Sequence, residues 1–231
     1  MKNKPYPLYP VPELADLKEF VDYCGNKFSE KTAFRYLKKK KEISKTYKTF
    51  REDVRALGTY FISKGCSRTH IAVIGENSYE WIVTYFAVVN SNNIIVPLDK
   101  EASADDLKYL VEKSDTAVIV HSDDYTEEAE AAGCSELINM KDLASVIDEG
   151  KALIENGDRS YDTTEIDNRA MCTLVYTSGT TSEPKGVMLS HLNIVYDTVA
   201  TSKSVLIPDS ALVMLPIHHT YGFVASLTIP M

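Results

Sequence analysis

The fold is decided by three short runs: His70-Ile-Ala-Val-Ile-Gly-Glu-Asn-Ser78, Asn93-Ile-Ile-Val-Pro-Leu-Asp99 and Thr116-Ala-Val-Ile-Val-His121. Each is almost continuously apolar and stops at turn-forming or polar residues, the pattern of a strand covered on both faces. The segments between them, 78–89 and 103–113, are long enough for helices and open on Ser78 and Ser103. Strands alternating with helices of about a dozen residues make βαβ units. The expected class is therefore α/β, a layered and mainly parallel sheet with flanking helices. In such sheets ligands gather outside the carboxyl ends of the strands, which draws attention to loops 75–78 and 98–101. Asn77 and Ser78 also read simply as a helix N-cap.

Working outward, Leu14, Leu17, Phe20, Val21 and Cys24 fall at helical spacing after Pro12. Strands are expected over 32–37 and 42–46, on either side of Lys38-Lys-Lys-Lys41. That run reads as a solvated hairpin turn rather than a targeting or nucleic-acid signal. A helix over 48–64 places Phe50, Val54, Leu57 and Phe61 on one face and stops at Gly65. Further on, a helix over 141–156 is followed by a polar stretch, 157–169, expected to be a linker.

Composition bounds the function. The chain has 231 residues, 44% hydrophobic and 25% charged, which is ordinary for a globular protein able to bury a sizeable core. A net charge of −8 and a pI near 5.2 oppose general attraction to nucleic acid or anionic lipid. Cys24, Cys66, Cys134 and Cys172 are scattered without a CxxC pair, as in a reduced protein. No apolar signal segment follows Met1, and the longest apolar stretch, 81–89, is far short of the ~20 residues of a membrane span. A soluble, cytoplasmic protein is expected.

The chemistry is concentrated in 170–193. An apolar strand, Met171-Cys-Thr-Leu-Val-Tyr176, runs into Thr177-Ser-Gly-Thr-Thr-Ser-Glu-Pro-Lys-Gly186, and a second strand, 187–189, follows before Ser190 caps a helix. Five hydroxyl residues in six positions suit a strap that surrounds phosphate oxygens with donors. Gly179 and Gly186 allow close approach or positive φ, and Lys185 supplies a compact cation. The Walker loop is excluded. It needs four residues between its glycine and Gly-Lys-Ser/Thr, with a helix behind; here five residues separate Gly179 from Lys185 and a strand follows.

The segment Tyr176-Thr-Ser-Gly-Thr-Thr-Ser-Glu-Pro-Lys-Gly186 resembles the signature of the AMP-forming adenylating superfamily, which includes acyl-CoA synthetases, luciferases and peptide-synthetase adenylation domains. Ser182 departs from it, standing where that family usually has glycine. Glu76-Asn-Ser-Tyr-Glu-Trp81 with Ile95-Val-Pro-Leu-Asp99 resembles a strand–helix–strand block of fatty acyl-CoA ligases. Leu215-Pro-Ile-His-His-Thr-Tyr-Gly-Phe223 is similar to the family's substrate-pocket motif, with His219 at the position beside the carboxylate and adenylate. For His218 a packed strand-end histidine is the alternative reading. A metal role for the pair is set aside because no third or fourth ligand stands at useful spacing.

The resemblance implies a chain whose residues 1–231 form the N-terminal part of a large ligase domain, the remainder being absent. It implies ATP, Mg²⁺ and coenzyme A as reaction partners, with a small-molecule acid activated to acyl-AMP and then to acyl-CoA. Thr177, Ser178, Gly179, Thr180, Thr181 and Lys185 are the expected ATP-phosphate site, Lys185 acting catalytically, and His219 is expected in the acid pocket. The fragment alone is expected to be inactive. Two rivals stay open: an adenylation domain that loads an amino or aryl acid onto a carrier protein, and a non-catalytic nucleotide-binding module. The acid, its chain length and the oligomeric state are not fixed by these residues.

Overall fold

The computed structural model describes residues 8–177, 183–206 and 209–231. Helix α1 (Leu17–Lys27) starts where Asp16 accepts the Glu19 N–H at 2.8 Å. An antiparallel hairpin, β1 (Thr32–Lys38) and β2 (Lys41–Thr46), turns through Lys39 and Lys40, both in the left-handed region at φ 51° and 66°. The lysine run is thus a hairpin turn. Helix α2 (Tyr47–Ser63) follows, and Gly65 ends it at φ 84°, a conformation that costs glycine little.

Six strands form the main sheet: β3 (His70–Ile74), β4 (Ile94–Pro97), β5 (Thr116–His121), β6 (Glu136–Asn139), β7 (Met171–Thr177) and β8 (Lys185–Ser190). Their order is β6-β5-β3-β4-β7-β8, parallel throughout except where β8 returns antiparallel to β7. Helix α3 (Tyr79–Asn90) carries the chain from β3 to β4 on one side. Helix α4 (Ala104–Lys113) then carries it back past β3 to β5. The direction of winding therefore reverses at β3, which makes a switch point there.

The strands bury both faces, as their apolar runs require. Ile71 and Val73 of β3 face a core shared with α1, α2 and α3, while Ala72 and Ile74 face a second core shared with α4. Val118 and Val120 of β5 and Cys172 of β7 join the first; Ile119 and Leu174 join the second. The period of two sorts neighbouring residues into opposite layers.

Two elements escape the sequence pattern. Helix α5 (Thr126–Ala131) is short, largely acidic and buries only Ala129, so it has no apolar period to read. β6 is a four-residue edge strand with polar ends. Helix α6 (Leu143–Glu155) lies within the expected span, after a 3₁₀ turn over Met140–Asp142.

The stretch 157–169 differs from a free linker. It contains the turn α7 (Ser160–Thr163), whose Tyr161 is buried against Gly58 of α2. Arg55 grips Asp162 with two bonds of 2.7 and 2.5 Å, and Lys18 donates to the Tyr161 and Thr164 carbonyls at 2.7 and 3.0 Å. Its polar composition hid one aromatic anchor.

Two buried polar groups tie layers together. Asp53 of α2 accepts from the Tyr79 hydroxyl at 2.9 Å and pairs with Lys45 and Lys151 at 3.4 and 3.0 Å, joining hairpin, α3 and α6. His191, the first residue of α8 (His191–Ser202), accepts the Leu17 N–H on Nδ1 at 3.2 Å. Among the described residues no helix is long and apolar enough to cross a membrane.

Burial holds the His191 imidazole neutral, its pKa lowered from 6.5 to about 4. Unfolding lets it take a proton anywhere between those values, so its contribution is present above about pH 6.5 and lost as pH falls toward 4. Thermal melts are expected to show stability falling from pH 7 to pH 4.5, with a shallower fall in His191→Gln. Equal slopes in both proteins would contradict this.

Candidate functional site

The carboxyl ends of β3, β4 and β7 open on one side of the sheet, and three polar segments meet there. Ser78 caps α3 by accepting the Trp81 N–H at 3.1 Å, as its sequence position suggests. Asn77 does something else. Its amide nitrogen donates to the Val213 and Leu215 carbonyls at 3.4 and 2.8 Å, and its oxygen accepts the Ile217 N–H at 3.2 Å. It thereby clamps the loop that carries His218 and His219 to the end of β3. Nothing local in the sequence marks this role, because the partners lie far along the chain.

The segment expected to hold phosphate lies in the connection between β7 and β8. The register pairs Thr177 with Lys185 and Tyr176 with Gly186, so the two limbs leave the sheet side by side. Ser178, Gly179, Thr180 and Thr181, with Ser182, lie outside the described residues. Thr177 and Lys185 are both exposed, and among the described residues the Lys185 ammonium makes no ion pair. The neighbouring Glu183 pairs instead with Lys113 of α4 at 3.9 Å, and Lys113 also donates to the Pro184 carbonyl at 3.3 Å. These contacts fix the returning limb and leave its cation open to solvent. Gly186 is not in positive φ; a Cβ there would stand 3.0 Å from Leu174 Cδ1, so close packing is its use. Ser190 and Asn193 complete a reciprocal capping box that starts α8 directly after the hairpin.

Beyond the strap, the loop ending in His219 leads into a short turn, α9 (Thr220–Phe223). Gly222 is required here, since a Cβ would meet the Pro216 carbonyl oxygen at 2.2 Å. His218 is buried and His219 exposed, with ring centroids 4.2 Å apart. Burial lowers the His218 pKa, with His219 adding to the effect and Asp99 opposing it. A crevice beneath them is lined by Tyr85, Pro97, Thr173, Ile217, His218 and Phe223. Its free volume of about 10 Å³ is about that of one water, so the described residues form a wall rather than a finished acid chamber. The Tyr85 hydroxyl and Thr173 Oγ1 bond across that wall at 2.7 Å.

Asp99, from the loop after β4, completes the arrangement. Its Oδ1 lies 3.4 Å from His218 Nε2, and one ligand atom each from Asp99, His218 and His219 fit within 4.8 Å of one another. The third donor that spacing did not reveal is thus supplied by the fold. A larger depression, about 770 Å³, lies at the opposite end of the strands beside Arg68, His70 and Cys134. Volume alone favours it, but the switch point and the motif residues stand at the carboxyl ends, where parallel sheets hold ligands.

A mainly parallel sheet with flanking helices and a β7–β8 hairpin connection at its carboxyl edge defines an α/β protein. The family description "AMP-binding enzyme" matches residues 21–231, and the chain belongs to that family. It is 31% identical over 173 residues to a CoA ligase of Gibberella moniliformis, covering 71% of this chain and 28% of that one. Against the 4-coumarate–CoA ligase-like 1 of Arabidopsis thaliana it is 26% identical over 226 residues, or 95% of this chain and 41% of the other. The crystal structure of a long-chain-fatty-acid-CoA ligase from Archaeoglobus fulgidus superposes with a TM-score of 0.80 at 20% identity, covering 97% of this chain and 46% of that one. The likeness shows a shared fold. This chain spans less than half the length of these proteins.

Removing the Asn77 clamp is expected to loosen the histidine loop. In Asn77→Ala, hydrogen exchange at 213–219 should accelerate at least tenfold while α3 stays protected by Ser78. Unchanged exchange in that loop would show that Asn77 holds nothing.

Proposed function

We propose that this chain supplies the triphosphate grip and part of the acid pocket of an ATP-dependent, AMP-forming acid–CoA ligase. The observation that carries the reading is the solvent-facing Lys185, unpaired among the described residues and set opposite Thr177 at the neck of a hydroxyl-rich strap. Membership of the AMP-binding enzyme family supports it, as do relatives named as CoA ligases.

In the first step a carboxylate oxygen of the acid bonds to the α-phosphorus of ATP, and the bond to pyrophosphate breaks. In the second the sulfur of coenzyme A attacks the acyl carbon and AMP departs. Two anions must meet, and charge moves onto the leaving pyrophosphate. Thr177, Ser178, Gly179, Thr180 and Thr181 would hold the β- and γ-phosphates with hydroxyl and backbone donors, and Lys185 would meet the growing charge. One charge-assisted bond of this type contributes roughly 1.5–3 kcal/mol. Mg²⁺ would accompany ATP as its counter-ion; the one carboxylate among the strap's described residues, Glu183, lies 3.9 Å from the Lys113 ammonium.

His219, exposed beside the crevice, would border the acid's carboxylate as a shaping residue, with no proton transfer assigned to it. A fatty acid is the proposed substrate, on the resemblance of 215–223 to the pocket motif of fatty acyl-CoA ligases. The thiols of Cys24 and Cys172 are buried and pushed up to about 12 by that burial, and they are not in disulfides. This supports a reducing compartment, and we place the protein in the cytoplasm.

Calorimetry of the 231-residue chain with MgATP tests the grip. Lys185→Ala is expected to weaken binding at least tenfold without altering the melting temperature, because the side chain is exposed and makes no ion pair among the described residues. The chain alone is expected to catalyse no pyrophosphate exchange. Binding that is indifferent to Lys185, or exchange by the isolated chain, would overturn the corresponding claim.

A further inference from the structure

We propose that Asp99, His218 and His219 form a binding site for a divalent transition-metal ion of the zinc type. One donor atom from each lies within 4.8 Å of the others, and the residues come from two loops that the sheet brings together. The argument rests on a second feature as well. His218 has only 8% of its side chain exposed, and among the described residues its Nε2 has no hydrogen-bond partner. Asp99 Oδ1 approaches that nitrogen at 3.4 Å without hydrogen-bond geometry, and the same oxygen accepts the Glu101 N–H at 2.9 Å. A buried imidazole nitrogen left bare is costly unless something occupies the space it faces. A cation shared with a carboxylate and a second imidazole satisfies it.

Donor chemistry selects the ion. Two imidazoles and one carboxylate favour zinc and its first-row neighbours, whereas Mg²⁺ and Ca²⁺ prefer all-oxygen sets. Metal–ligand bonds of about 2.0–2.2 Å need the three donors somewhat closer together than they stand. His218 is fixed by burial, but Asp99 is 47% exposed and His219 faces solvent, so both can rotate inward. Among the other charges facing His218, Lys100 opposes a cation and Glu101 favours one. Three protein ligands leave a coordination position open to water or to a carboxylate. If His219 borders the acid pocket, an ion held here would also compete for that ring. This consequence depends on the ligase reading; metal binding does not.

Cobalt(II) titrated into the 231-residue chain reads the site directly through its visible absorption, with zinc as the competitor. One saturable equivalent is expected, displaced by zinc and resistant to a large excess of Mg²⁺. Asp99→Asn and His219→Ala should each weaken it at least tenfold. His218→Gln is informative only if it folds, so the two exposed positions carry the test, with circular dichroism confirming an unchanged fold. No saturable uptake, displacement by Mg²⁺ at equal concentration, or undiminished affinity in both exposed variants would overturn the proposal.

Discussion

Strand β3 is hydrogen-bonded on both edges, to β4 on one side and β5 on the other, with side chains alternating into two cores. Most of the arrangement follows from that constraint. A strand enclosed on four sides can present only its two ends to solvent, and parallel neighbours put all their carboxyl ends together. Because the winding reverses at β3, the helices after β3 and β4 diverge to opposite faces and leave an open crevice. Asn77, the second residue after Gly75 at the end of β3, stands at that opening and clamps the histidine loop across it.

The site combines rigid and open parts in a way that suits anion handling. Lys113 and the capping box at Ser190 anchor the returning limb of the strap, while the Lys185 ammonium stays in water. An exposed lysine contributes little to folding, so its place at a hairpin neck is better explained by what it meets. The histidine loop is the reverse case. His218 is buried beside an aromatic wall of Tyr85 and Phe223, whose ring centroids are 4.1 Å apart, and only His219 faces outward. Shape on one side and charge on the other are the two features the proposed reading uses.

The sheet was legible because buried parallel strands are written as uninterrupted apolar runs, and serines at 78, 103 and 190 mark helix starts through local hydrogen bonds. The strap was read from one contiguous segment, of which residues 178–182 lie outside the described residues. What could not be read depends on contacts distant in sequence. Tyr161 looked like part of a polar connection until Gly58 gave it a place to pack. Asp99 looked like a loop acid, and only the pairing of β4 with its neighbours brings it to His218. Helix α5 and edge strand β6 were missed because neither buries enough apolar surface to leave a pattern.

The central claim is that nucleotide enters at the carboxyl edge of the sheet and not at the larger depression beside His70. Backbone amide chemical shifts of the 231-residue chain, followed as MgATP is added, locate the ligand directly. The account requires the main changes at Thr177, Lys185, Gly186 and the loops after β3 and β4. Changes centred on Arg68, His70 and Cys134, with the strap undisturbed, would contradict it.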